Sequence, residues 1–219
     1  MPTGTVTITQ GGSVAAGSDG FVSVYTGQNA TPIGVVASAT NTTPNLGITP
    51  GATGSLVIGA NLGVLGAYTA NGSTTYKFDH AGQGLEYISM VSSATTTAAT
   101  PVTIGGTAGV NSISIVLLEV KKGAGALMLD GSTPAGLTST TTSVTSASFT
   151  PPSGSLLVLA AELNGGGGSV TAAITDTLGG LTWTEQVKQN TAGNGYAGIW
   201  TAVVPTPAPS AGMLLAGEV

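Results

Sequence analysis

The chain has 219 residues, of which only 6% are charged, against about 25% in an ordinary soluble domain. Its four cations are Lys77, Lys121, Lys122 and Lys188, and its net charge is −5, so it lacks the clustered basic side chains that bind nucleic acid. Cysteine is absent, which excludes disulfides and thiolate chemistry and suits folding in a reducing cytosol.

From the N-terminus, MPTGTVTITQ has neither the basic start nor the apolar core of a signal peptide. No apolar run approaches the roughly 18 residues of a membrane helix. Within Thr5–Thr9, Val6 and Ile8 fall on one face and threonines on the other. Residues 1–18 are Thr- and Gly-rich and read as an extended arm that adds a strand to a neighbour.

Beyond this segment the signals are those of strands and turns. The chain carries 35 glycines and 11 prolines, and Thr, Val and Ser dominate the remainder. Alternation recurs in Ser112–Ile115 and in Thr182–Lys188, where Trp183, Glu185 and Val187 share a face. Clusters such as Gly11-Gly12, Asn71-Gly72, Gly105-Gly106 and Gly179-Gly180 separate the runs.

One phrase is written twice. ITPGATGSLVIGANL from Ile48 is answered by FTPPSGSLLVLAAEL from Phe149. Thr31-Pro32 is answered by Thr133-Pro134, Glu86–Met90 by Gly195–Trp200, and Leu117–Val120 by Leu215–Val219. The matches are colinear with a period of about 100 residues, too long for a solenoid, so each copy is expected to be a domain. In the second copy, Ser155–Ala161 is a continuous apolar run, as in a strand covered on both faces. Strands follow over Val170–Thr175, around Trp183 and over Tyr196–Val204, then a bend at Pro205, Pro207 and Pro209 and a last strand to Val219.

The expectation is therefore an all-β chain of two tandem β-sandwich domains, jelly-roll or Ig-like, produced by internal duplication. The arm spans 1–18, the first domain 19–122 and the second 123–219.

Residues that could carry chemistry are few. His80 is the lone histidine, and its neighbour Asp79 points to the opposite face of a strand, so the two do not form a relay. Zinc ligands are too few and no calcium loop occurs. Asp176 and Glu185 form a loose pair across the Gly179-Gly180 turn. Gly165–Gly168 lacks the lysine and helix of a phosphate loop. Trp183, Trp200 and Tyr196 offer either a sugar-stacking platform or core packing. No catalytic, cofactor-binding or metal-binding residue is assigned, and no cofactor is expected.

A mean hydropathy of +0.38 with so little charge points to a surface that faces other protein subunits. SFTPPSGSLLVLAAELN, AAITDTLGGLTWTEQVKQN and GYAGIWTAVV together resemble a module in virion proteins of tailed phages of actinobacteria. There an SGSLLVV-type strand precedes DSLGGTWT and an aromatic strand. The first copy departs from this pattern, with Thr75–Phe78 in place of the Gly-Gly-x-Thr-Trp-Thr segment.

The resemblance implies a non-enzymatic virion protein made in the host cytoplasm. A capsid decoration (minor capsid) protein is the first reading, with the major capsid lattice and itself, as a homotrimer, for partners. A minor tail protein is the alternative. A carbohydrate-binding or adhesin module using Trp183 and Trp200 is the alternative of another class. Nucleic acid and membrane are not expected partners.

Overall fold

In the computed structural model, residues 3–12, 17–64, 66, 68–82, 85–107, 113–165, 169–179, 181–191 and 195–206 are described. They form seventeen strands and no helix. The first stretch gives β1 (Val6–Gly12) and β2 (Ser18–Thr26). Next come β3 (Gln28–Asn41), β4 (Asn45–Ile48), β5 (Leu56–Val64), β6 (Thr69–Ala70), β7 (Thr74–Gly82), β8 (Leu85–Ser92), β9 (Val102–Thr107) and β10 (Ile113–Lys122). The rest are β11 (Met128–Leu129), β12 (Leu137–Ser139), β13 (Ser143–Thr145), β14 (Leu156–Leu163), β15 (Val170–Asp176), β16 (Thr184–Thr191) and β17 (Gly195–Val203).

These strands make four sheets, stacked in the order β13-β1-β15, then β11/β12-β2-β14-β17-β16, then β3-β10-β5-β8-β7, then β4-β9-β6. The two large sheets lie in the middle. Each is covered on one face by the other and on its second face by a small outer sheet. Sequence pattern explains this placement. β14 is buried at every position: Leu157, Leu159, Ala161 and Leu163 face the outer sheet, and Leu156, Val158 and Ala160 face the other large sheet. β10 divides likewise, with Ile115 and Leu117 on one side and Val116, Leu118 and Val120 on the other. Strands with two apolar faces belong inside. β1 alternates and has one buried face, with Val6 and Ile8 fully buried, and so lies in an outer sheet.

The two halves share one strand order. In the first, β10 lies between β3 and β5, and β5 pairs β8, which pairs β7; β4-β9-β6 covers them. In the second, β2 lies between β11/β12 and β14, and β14 pairs β17, which pairs β16; β13-β1-β15 covers them. The places of β9 and β10 are thus taken by β1 and β2, from the other end of the chain. The twice-written phrase builds the same turn twice. Gly54 and Gly154 have φ of +83° and +75°, a conformation that favours glycine. The Gly54 N–H bonds the Thr96 carbonyl and the Thr96 N–H the Ser55 carbonyl, at 2.8 and 2.9 Å. Gly154, Val204 and Ser155 repeat this at 3.0 and 2.9 Å.

The structure corrects the boundaries read from sequence. Within the expected arm of 1–18, residues 3–12 do not hang free: β1 is hydrogen-bonded on both sides, to β13 and to β15. The first half does not begin at 19, because β2 pairs β14 along its length. Burial of Val6, Ile8, Val22 and Val24 against the second half outweighs the hydroxyl-rich composition that suggested an extended arm. The expected last strand to Val219 lies outside the described residues. The match of Leu117–Val120 with Leu215–Val219 does not identify the strand equivalent to β10, since β2 occupies that place. Alternation across Thr182–Lys188 is broken by a bulge between Glu185 and Val187, so Val187 packs between the large sheets while Trp183 packs on the opposite face.

The halves join at two adjacent crossovers. Gly27, at φ +77°, links β2 to β3, and its carbonyl accepts the Gly123 N–H at 2.7 Å in the connection from β10 to β11. A buried carboxylate fixes the repeated turn in the first half. Glu119 Oε2 accepts the N–H groups of Val35 and Gly51 at 3.0 and 2.9 Å, and Oε1 that of Ala52 at 2.9 Å. Burial by itself would raise this carboxyl; these N–H donors and the Ser55 hydroxyl outweigh it and hold Glu119 below its ordinary value. Glu119→Ala orphans three amides and is expected to cost about 3 kcal/mol, read as a lower denaturation midpoint at neutral pH.

Candidate functional site

One cluster of titratable side chains, Asp19, Glu162, His80 and Tyr87, lies where the two large sheets face each other. Register defines two cross-strand rows. On the six-stranded sheet the row runs Thr138, Asp19, Glu162, Ala197, Gln189. On the five-stranded sheet it runs Thr40, Ser114, Leu62, Tyr87, His80. Shared strand order makes these the same row in each half, so Ser114 corresponds to Asp19, Leu62 to Glu162, Tyr87 to Ala197 and His80 to Gln189. The rows oppose each other head to tail. His80 Nδ1 meets Asp19 Oδ2 at 2.6 Å at one end, and Gln189 Nε2 donates to Thr40 Oγ1 at 3.0 Å at the other.

The two ends differ in chemistry. Asp19 is 1% exposed, and its second oxygen accepts the Ser139 N–H at 3.3 Å. Burial raises its pKa, while the bond to His80, the charge of His80 and the Ser139 N–H pull it back. Glu162, the direct neighbour of Asp19 across β2 and β14, is fully buried. Its Oε1 accepts the Ser89 hydroxyl at 3.1 Å, and the Asn61 backbone N–H adds a weaker pull towards the charged form. Burial, then the charge of Asp19, pushes Glu162 well above its ordinary value. Tyr87 stacks on His80 with ring centroids 6.0 Å apart and is pushed up by burial and by the charges of Asp19 and Glu162. The side chain of His80 is 39% exposed, beside a shallow polar depression lined by Thr138, Ser139 and Thr140.

A second cluster lies on the opposite face of β7 and β8, where Asp79 and Glu86 sit near Tyr68 and Tyr76. Glu86 is pushed up to about 7 by burial and by the hydrogen bond and charge of Asp79. Burial and these carboxylates raise both tyrosines to about 12.

The residues singled out from sequence fall as follows. His80 and Asp79 do point to opposite faces; the partner of His80 is Asp19, distant in the chain. Asp176 and Glu185 are not brought together. Asp176 accepts the N–H groups of Leu178 and Gly179 and, at 3.0 Å, the indole N–H of Trp183. Glu185 pairs with Lys188 at 2.8 Å and accepts the Tyr196 hydroxyl at 3.2 Å. Trp200 donates to the Tyr196 oxygen at 3.1 Å. Both tryptophans are half-buried against the core of the second half, with their N–H groups engaged internally. Of the Gly165–Gly168 run, 166–168 lie outside the described residues. No group of three or more His, Asp or Glu placed to hold a metal occurs among the described residues. The Asp19–Glu162–His80 cluster escaped sequence reasoning. Its one legible signal was an acidic residue inside the otherwise apolar LLVLAAEL run.

Comparison with protein-family models, curated protein sequences and solved structures gave no match.

Because Glu86 sits above the ordinary carboxyl value of 4.5, its share of stability is complete below about pH 4.5 and is lost as pH rises through about 7. Glu86→Gln is therefore expected to gain on the native chain by about 2 kcal/mol between pH 4.5 and 8. Urea midpoints at those two pH values test this, and an unchanged difference refutes it.

Proposed function

We propose that this chain is a non-enzymatic structural protein of a phage virion, a capsid decoration (minor capsid) protein that binds and stabilises the assembled head. The observation that carries the reading is the outer face of β13-β1-β15. Its outward residues are Thr7, Thr9, Ser143, Thr145, Thr171, Ala173 and Thr175, and none is charged. Thr7 and Thr145 bond each other through their hydroxyls at 2.8 Å. A hydroxyl already satisfied by its neighbour costs little to desolvate, so such a face suits docking on a neutral protein lattice.

Surface area supports the same reading. The accessible surface is 8970 Å², close to the ~9,000 Å² expected for a monomer of this mass. Charge is scarce although the surface is of ordinary size, and hydroxyls, amides and small residues cover it instead. The repeated phrase and the shared strand order support a tandem duplication. First strand beside last, and second beside next-to-last, is jelly-roll winding, an architecture used by viral capsid domains. In this reading the body docks on the major capsid protein, associates with copies of itself as a trimer and resides on the capsid surface.

The test is mass spectrometry of purified particles after heads and tails are separated. A copy number that scales with the capsid subunits supports decoration. A few copies with the tails moves the protein to the tail, and absence from both refutes a virion role. Thr7→Lys with Thr175→Lys places two cations on the outer face. Head occupancy is expected to fall while thermal stability is unchanged; full occupancy would exclude this face.

A further inference from the structure

We propose that one end of the seam between the two large sheets is a proton-dependent latch, closed while Glu162 carries a proton and opened when that carboxyl ionises, with the opposite end staying closed.

The geometry sets the number of charges that this end can hold. Asp19 and Glu162 are direct cross-strand neighbours, both point into the seam and both are buried. Like charges directly opposite each other on a sheet are destabilising, and more so away from water. Asp19 has His80 and the Ser139 N–H as partners. Glu162 has the Ser89 hydroxyl and, more weakly, the Asn61 backbone N–H, and no positively charged partner of its own. Asp19 is therefore placed to carry the negative charge, and Glu162 to keep its proton.

The titratable groups facing Glu162 in the seam are Asp19 on β2, Tyr87 on β8 and His80 on β7. The other residues there are Ser89 on β8, Leu62 on β5, Ala197 on β17 and Thr138 on β12, none of which titrates. Asp79 and Glu86 lie on the far face of β7 and β8. His80 is the one group in the row able to carry positive charge, so it can offset one carboxylate but not two.

The corresponding end provides a control within the same molecule. There Ser114, Leu62, Ala197 and Gln189 contain no ionisable side chain, and Gln189–Thr40 closes the seam with a neutral hydrogen bond. Both ends lie far from the crossovers at Gly27 and Gly123. From Tyr25 to Asp19 the strand runs about 20 Å, so this end can part while Gln189–Thr40 closes the opposite end and the crossovers hold the far ends of the strands.

Sign and window follow from the raised value of Glu162. The closed seam is fully favoured below the ordinary carboxyl value of 4.5 and loses ground as pH rises towards the value in the closed state. Within that window one proton leaves on opening, so the opening equilibrium rises about tenfold per pH unit.

Amide hydrogen exchange of the full chain from pH 5 to 9, referenced to unstructured peptides at each pH, reads this directly. Peptides from 74–82 and 137–139 are expected to lose protection about tenfold per pH unit until the closed-state value is passed. Peptides from 28–41 and 184–191 should keep theirs. Glu162→Gln, or Glu162→Leu to match Leu62, should flatten the response at the first end. Tyr87→Phe should leave it in place. Equal pH dependence at both ends overturns the latch, as does an unchanged response in the Glu162 variants or its loss in Tyr87→Phe. If both Glu162 variants fail to fold, the comparison of the two ends in the native chain still decides.

Discussion

Everything else in this molecule depends on two large sheets that are apolar on both faces. A strand such as β14, buried at every position, cannot have a side open to water. Its sheet needs a second layer above and another below. The small outer sheets supply one cover each, and the large sheets cover each other. The stack of four follows from that requirement. So does the use of β1 and β2: without them the second half would lack the central strand of its outer sheet and the neighbour of β14. Ends of the chain that are remote in sequence are thereby held in one core.

Such an interior is demanding towards charge, and two buried glutamates show how local partners decide the outcome. Glu119 and Glu162 both lie on central strands and neither is exposed. Glu119 meets three backbone N–H groups, is held ionised and fastens a loop. Glu162 meets one hydroxyl, one backbone N–H and a neighbouring carboxylate, and is pushed the other way. Burial acts on both in the same direction. Donor count separates them, since each N–H aimed at an oxygen favours the charged form.

Much of the layering was legible in the sequence. Thr5–Thr9 alternated and became an outer strand; LLVLAAEL did not alternate and became a central one. Both signals are local and depend on the number of faces a strand buries. The Gly54 and Gly154 turns were legible because one phrase encoded both. Partnership was not legible. Nothing in VTITQGG indicates β15 rather than a neighbouring chain, because many strands share its pattern and register emerges only when cores are filled. Short similarity also misled at Leu117–Val120. The strand that takes the place of β10 in the second half is SDGFVSVYT, which is buried on both faces as β10 is but shares almost none of its letters. The single-residue bulge that redirects Val187 had no turn residue to announce it.

The buried ionisable cluster was hidden for the same reason. His80 looked isolated beside Asp79, and its partner comes from a strand of the opposite half. What makes that contact informative is its counterpart. The row that carries Asp19 and Glu162 in one half carries Ser114 and Leu62 in the other, and His80 stands where the second half has Gln189. Two halves with one winding face each other across one seam, so the scaffold by itself would give both ends the same chemistry. The ionisable groups at one end are therefore a property of the sequence laid on the fold, beyond what the fold requires. Stability alone does not call for them, since the corresponding neutral end closes with a leucine and an amide–hydroxyl bond. Buried carboxyls stand where the other half uses a serine and a leucine, which is why the latch is proposed at this end and not at the other.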